Sequence, residues 1–290
     1  MKPQPKNLNP TRRKNMKLKS LSAAVLVFAA ASLFAHGHHN HQAPLKSEAV
    51  KAIRQGDFEQ AALLFEKEIK ANPSEPRLKQ LYSELKTQVR REKLFAGETD
   101  TGMIEEIGRP MRQFYIKYGL FAKAEAIDRK IYQADPSLAN GVALAVTLLN
   151  LDRNREAAEI FRKLDLSHAK RGAALCAALA FARTGDKATS EKLLKRFPVD
   201  KLDSGSLQLY VRCTANNGDL KTTCNLTARI LAGTPGKNHP MLKKHLFGGP
   251  DFKTVADNQD FQNALKTKSK KRDSCAGCPN QGTDKCEHGH

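Results

Sequence analysis

The sequence predicts an all-α protein in which helical hairpins stack into a superhelix. Three observations carry this prediction. Short motifs recur at a fixed spacing, which is typical of repeat proteins. The segments beside them have helical periodicity. The composition, with 40% apolar residues and no Trp, is ordinary for a chain of helical repeats.

The recurring motif is most complete at two glycines. Gly56 and Gly119 are each followed by Ala after five residues and by Pro after 17 residues. Glycine suits the turn between two helices, a small residue lets them approach, and Pro stops the second helix. Beyond Gly119 the equivalent turn positions fall every 33 residues, at Asp152, Gly185 and Gly218. The sequence therefore predicts a series of helical hairpins.

The region between the first two motifs is expected to be irregular. The 63 residues from Gly56 to Gly119 are about two periods less three residues, so one atypical unit is expected over residues 75–105. The apolar residues Leu78, Leu81, Leu85 and Val89 have helical spacing, which predicts a helix there. A polar loop is expected to follow this helix.

Over roughly residues 47–232 these motifs resemble the tetratricopeptide repeat, a helix–turn–helix unit of about 34 residues. Ser190 and Thr223 replace the small Ala in the last two hairpins. The resemblance implies a concave groove, lined by the first helix of each hairpin, that holds a protein or peptide. The groove positions that it implies are Arg109, Gln113, Lys117, Arg183, Gln208 and Arg212. Because several are basic, the partner is expected to be acidic.

One ligand known for this family is not expected here. Some tetratricopeptide proteins hold a terminal carboxylate with a set of Asn side chains. In this chain the matching positions are Val50, Gln113 and Val146. That clamp is therefore not carried over.

The first 35 residues are predicted to be a cleaved signal peptide. Cations from Arg12 to Lys19 precede an apolar stretch from Leu21 to Ala35, which is too short to span a bilayer comfortably. Met16 is an alternative start, and general secretion is favoured over the twin-arginine route, which Arg12 and Arg13 suggest. The expected location is periplasmic or secreted, without a transmembrane anchor after cleavage.

The remaining boundaries follow from composition. A His-rich mature N-terminus is expected at residues 36–46, the repeats at 47–235, a helical cap at 236–265, and a basic linker with a Cys/His-rich tail at 266–290.

Two terminal clusters can bind Zn or Cu. Thiolates and imidazoles are the ligands that these ions prefer. The N-terminal cluster is His36, His38, His39 and His41, and the C-terminal cluster is Cys275, Cys278, Cys286, His288 and His290. In an oxidising compartment Cys275 and Cys278 can instead form a disulfide, or serve a redox role.

The other cysteines also leave two interpretations open. Cys213 and Cys224 flank the turn at Gly218, so they can face each other as a disulfide or be separate buried thiols. Cys176, within an Ala-rich segment, is expected to be a buried thiol.

The sequence favours a binding protein over an enzyme. No nucleophile elbow, phosphate-binding Gly loop or HExxH helix is present. The formal net charge is +19, and +12 remains when the seven cations of residues 1–35 are removed (42 less 30). This surplus favours anionic partners, with no specific nucleic acid implied. The leading hypothesis is an exported scaffold that holds a protein or peptide in its groove; the alternative is a metal-handling protein that uses the terminal clusters.

Overall fold

Helices account for the regular elements of the computed structural model, which describes residues 48–271. In chain order they are α1 (Glu48–Gln55), α2 (Phe58–Ala71), α3 (Pro76–Ala96), α4 (Thr101–Lys117), α5 (Phe121–Ala134), α6 (Leu138–Asn150), α7 (Asn154–Arg162), α8 (Arg171–Arg183), α9 (Lys187–Leu194), α10 (Ser204–Asn216) and α11 (Leu220–Ala232). Five hairpins pack in series, namely α1–α2, α4–α5, α6–α7, α8–α9 and α10–α11. The predicted all-α solenoid is confirmed.

The five hairpin turns share one backbone conformation. Gly56, Gly119, Gly185 and Gly218 have φ between 74° and 82°, and Asp152 has a φ of 56°. This left-handed conformation ends a helix and suits glycine, which has no Cβ to clash. Three of the turns continue with an Asp whose side chain accepts a hydrogen bond from the first turn of the next helix; these are Asp57, Asp186 and Asp219.

A small residue lies in the seam of every hairpin, five residues after the turn. All five have no exposed surface; they are Ala61, Ala124, Ala157, Ser190 and Thr223. The two hydroxyl groups are satisfied locally, because Ser190 accepts from the Asn217 amide at 3.0 Å and Thr223 donates to the Asp219 carbonyl at 2.7 Å. Ser and Thr can therefore replace Ala there without leaving a polar group unpaired.

The atypical unit is the single helix α3. It runs beside α2, where Lys93 lies 3.0 Å from Glu59 and the Tyr82 hydroxyl donates to Glu66. On its other side the Lys130 amine of α5 donates to the Phe95 carbonyl at 2.8 Å. No turn divides α3, so this unit has one long helix where the other units have two.

A buried ion pair lies within the α4–α5 hairpin, and a hydrogen bond ties it to the next hairpin. Arg112 of α4 pairs with Asp128 of α5, and both side chains are almost completely covered. The Thr147 hydroxyl of α6 donates to the same carboxylate at 2.6 Å. Charged groups are rarely buried unless they are paired in this way.

The end of the array is covered by a C-terminal segment. It contains α12 (His239–Leu242), a π-helical turn (Lys243–Phe247), a 3-10 turn (Pro250–Phe252) and α13 (Gln259–Leu265). Its three phenylalanines, Phe247, Phe252 and Phe261, pack together and join side chains of α10 and α11 in one core. Covering the open end of a solenoid in this way keeps its apolar residues from water.

Candidate functional site

The α4 helix presents an open polar face. Arg109, Gln113 and Lys117 are exposed and recur every four residues, so they lie along one side of the helix. Arg109 donates to both Glu105 and Asn140 at 3.0 Å, and Lys117 donates to Glu84 at 2.9 Å. Both cations of this face are therefore already paired with carboxylates of the same chain.

The charge of Lys117 is reinforced by its neighbour. Partial burial is the largest effect and opposes the charged form, but the interactions with Glu84 and Tyr118 together outweigh it, so the pKa of Lys117 lies above its usual value. Lys117 is therefore fully charged at neutral pH.

The predicted groove residue Arg183 is not open to a ligand. Its guanidinium binds both carboxylate oxygens of Asp251, with distances of 2.7 Å from Nε and 2.9 Å from Nη2. A third bond reaches the Asn154 side-chain oxygen at 3.1 Å. Arg183 and Asp251 are 7% and 3% exposed, so this is a buried, two-point ion pair.

Arg212 binds the same carboxylate. Its Nε lies 2.6 Å from Asp251 Oδ2, and the Asn216 amide donates to Asp251 Oδ1 at 2.8 Å. Burial raises the pKa of Asp251, but hydrogen bonding to Arg183 and the charges of Arg212 and Arg183 outweigh it and lower the pKa to about 2. The carboxylate that the two arginines were expected to take from a partner is thus supplied by the C-terminal segment.

The middle of the array is closed on the side where an open groove was predicted. Every residue of α8 from Ala173 to Ala182 is buried, and nearly all of α6 from Asn140 to Leu149 is buried as well. Gln208 of α10 is also buried, contrary to its expected place on an open surface. Of the six predicted groove positions, Arg109, Gln113 and Lys117 are the ones that face solvent.

The groups that bind Arg183 and Arg212 were not predicted from the sequence. Asp251, Asn154 and Asn216 were not singled out, because a repeat pattern does not indicate what a segment outside the repeat contacts. The one available signal was the cap prediction itself. A cap must pack on the last hairpins, and an Asp in it has two nearby arginines to neutralise.

The three cysteines in the described part are free thiols. Cys213 points toward α8, where its sulfur lies 3.9 Å from the Leu175 carbonyl, whereas Cys224 packs at the C-terminal core. Of the two interpretations, separate thiols are what the structure shows. Burial raises the pKa of Cys176 to about 12, so this thiol is unreactive at neutral pH.

The predicted metal ligands lie outside the described residues. His36 to His41 precede residue 48, and Cys275 to His290 follow residue 271. Within residues 48–271 no three His, Cys, Asp or Glu side chains are grouped so that they can hold a metal ion. Metal binding by the terminal clusters therefore stays a prediction, as does the signal peptide.

Acid should weaken the Asp251 contact in a defined pH range. The pKa of Asp251 is about 2 in the folded state and about 3.9 in an unfolded chain. Its ionisation therefore stabilises the fold fully above about pH 4, and this contribution of about 2–3 kcal/mol is lost as the pH falls toward 2. The measurement is denaturant unfolding between pH 5 and pH 2. The difference between the wild type and Asp251→Asn should shrink with acid, and a difference independent of pH would contradict the assignment.

Comparison with protein-family models, with curated proteins and with solved structures gave no significant match. The likeness to tetratricopeptide repeats thus rests on the motifs and on the hairpin turns. In the part of the chain that the structure describes, no helix combines the length and the apolar character needed to cross a bilayer.

Proposed function

We propose that this chain is an exported, non-catalytic scaffold of the tetratricopeptide type, which binds a protein or peptide partner on the open face of α4. The observation that supports the proposal is that the first helices of the hairpins differ in their exposure to solvent. In the interior of the array α4 keeps a solvent-facing stripe at Arg109, Gln113 and Lys117, whereas α6 and α8 are covered. Export to the periplasm or medium is part of the proposal and rests on the N-terminal sequence.

The charges of this face suit an acidic partner. The side chains of Arg109 and Lys117 are 47% and 55% exposed, and ion pairs that exposed contribute roughly 0–1 kcal/mol. A partner carboxylate can therefore replace Glu105 or Glu84 at small cost. Without the seven cations of residues 1–35 the formal net charge is still +12 (42 cations less 30 acids), which also speeds the approach of an anionic partner.

Site-specific crosslinking tests this proposal. A photoreactive residue in place of Gln113 should give discrete crosslinked products in cells that produce the protein. The matched control is the same residue in place of Glu159, which is exposed on α7, the second helix of its hairpin. Reversing both cations, Arg109→Glu with Lys117→Glu, should reduce the Gln113 products at least tenfold. Equal labelling at positions 113 and 159 would overturn the proposal.

A further inference from the structure

An apolar depression lies between α2 and α3, away from the α4 face. It has a volume of about 510 Å³. Leu63 and Leu94 line it and are 56% and 53% exposed, more than any other large hydrophobic side chain of the described part. Single exposed leucines are common, but two in one depression leave apolar surface that another surface gains by covering.

The depression exists because α3 has no second helix. In the other units two helices pack as a hairpin, but α3 is one continuous helix packed along α2. The outer side of the α2–α3 pair is therefore left open near the start of the array. At the other end the C-terminal segment covers the last hairpin, and no described residues do the same for α2 and α3.

The charges around the depression are sorted by helix. The α2 edge carries Glu59 and Glu66, whereas the α3 edge carries Lys86, Arg90 and Lys93. A two-fold axis that runs along the depression, parallel to the two helices, places the acidic edge of each copy opposite the basic edge of the other. A surface with this arrangement is complementary to itself, as a symmetric dimer interface requires.

We propose that the α2–α3 face is the interface of a homodimer, with Leu63 and Leu94 of each copy packed in the depression of the other. This goes beyond the proposed function, because it uses a different face and leaves α4 free. Charge complementarity selects a second copy as the occupant. The floor of Ala62, Val89 and the Tyr82 ring supplies the apolar contact.

The expected dimer is weak. A face formed by two helices, one of them 14 residues long, covers on the order of 400–500 Å² per copy, from a rise of 1.5 Å per residue and a helix diameter of about 10 Å. A buried area of this size is at the lower end of the range for specific protein–protein interfaces, so the dissociation constant of the dimer should be roughly micromolar.

Sedimentation equilibrium of the full purified chain tests the dimer. The wild type should change from monomer to dimer between about 1 and 300 μM, around the expected micromolar constant. Leu63→Glu with Leu94→Glu should weaken the dimer at least tenfold. The control Met103→Glu with Leu138→Glu changes two other exposed apolar residues and should not. A wild type that stays monomeric to 300 μM would overturn the proposal. A chain in which another of its own segments covers the depression would give this result.

Charge reversal separates this interface from general stickiness. Glu59→Lys with Glu66→Lys makes both edges basic. Lys86→Glu with Arg90→Glu makes both edges mainly acidic. Each double variant should be monomeric alone, and an equal mixture should form a heterodimer at least as tight as the wild type. A mixture no more associated than either variant would show that the two edges do not face each other.

Discussion

Replacing Asp251 by Ala should lower the free energy of unfolding by about 3–5 kcal/mol, the range found when one partner of a buried ion pair is removed. The loss is large because Arg183 and Arg212 both bind this carboxylate. Without it, two cations face each other in a nearly dry space. The measurement is urea unfolding at pH 7, together with limited proteolysis, which should cut between α11 and α13 first.

Asp257→Ala is the matched control for this prediction. Asp257 lies in the same segment but is exposed. Its removal should change the free energy of unfolding by about 0.5 kcal/mol or less, as is usual for surface substitutions. Equal stabilities of the two Ala variants would show that the Asp251 contact does not hold the segment in place.

Replacing Asp128 by Ala should destabilise the fold by a similar 3–5 kcal/mol. Arg112 would lose its buried partner, and the Thr147 hydroxyl would lose the carboxylate to which it donates at 2.6 Å. Because this pair joins α4, α5 and α6, its loss should separate the N-terminal hairpins from the rest. Hydrogen exchange of residues 101–150 should increase with the loss of stability.

The double variant Asp128→Leu with Arg112→Met is the informative control. Replacing a buried ion pair by apolar residues of similar volume is often neutral or stabilising. The double variant should therefore unfold at a denaturant concentration much closer to the wild type than Asp128→Ala does. If it is as unstable as the single variant, the cost comes from the lost ion pair and its hydrogen bond from Thr147 rather than from an unpaired charge.

The fold could be predicted from the sequence because its hairpin turns need a particular backbone conformation. Gly119, Gly185 and Gly218 mark positions where φ is positive, and a residue of small volume must follow in the seam. Those constraints are local, so they recur at fixed spacing. Even Asp152, which is not Gly, was found by counting, since the period places it at an equivalent turn.

The site was harder to predict because it depends on contacts between distant residues. Arg183 and Asp251 are 68 residues apart, and no local pattern joins them. The resemblance to tetratricopeptide repeats placed Arg183 and Gln208 on first helices, but it cannot show how tightly those helices are covered. By contrast Arg109, Gln113 and Lys117 precede the array's most closed part and do face solvent.

Hydrogen exchange with and without the bound partner tests the central claim most directly. The partner would be the protein or peptide captured at position 113, purified and added in excess. We expect slower exchange in α4, residues 101–117, and unchanged exchange in residues 239–265. Faster exchange in residues 239–265, with slower exchange in α8 and α10, would mean that the partner displaces Asp251 from Arg183 and Arg212. That result would contradict binding on the α4 face.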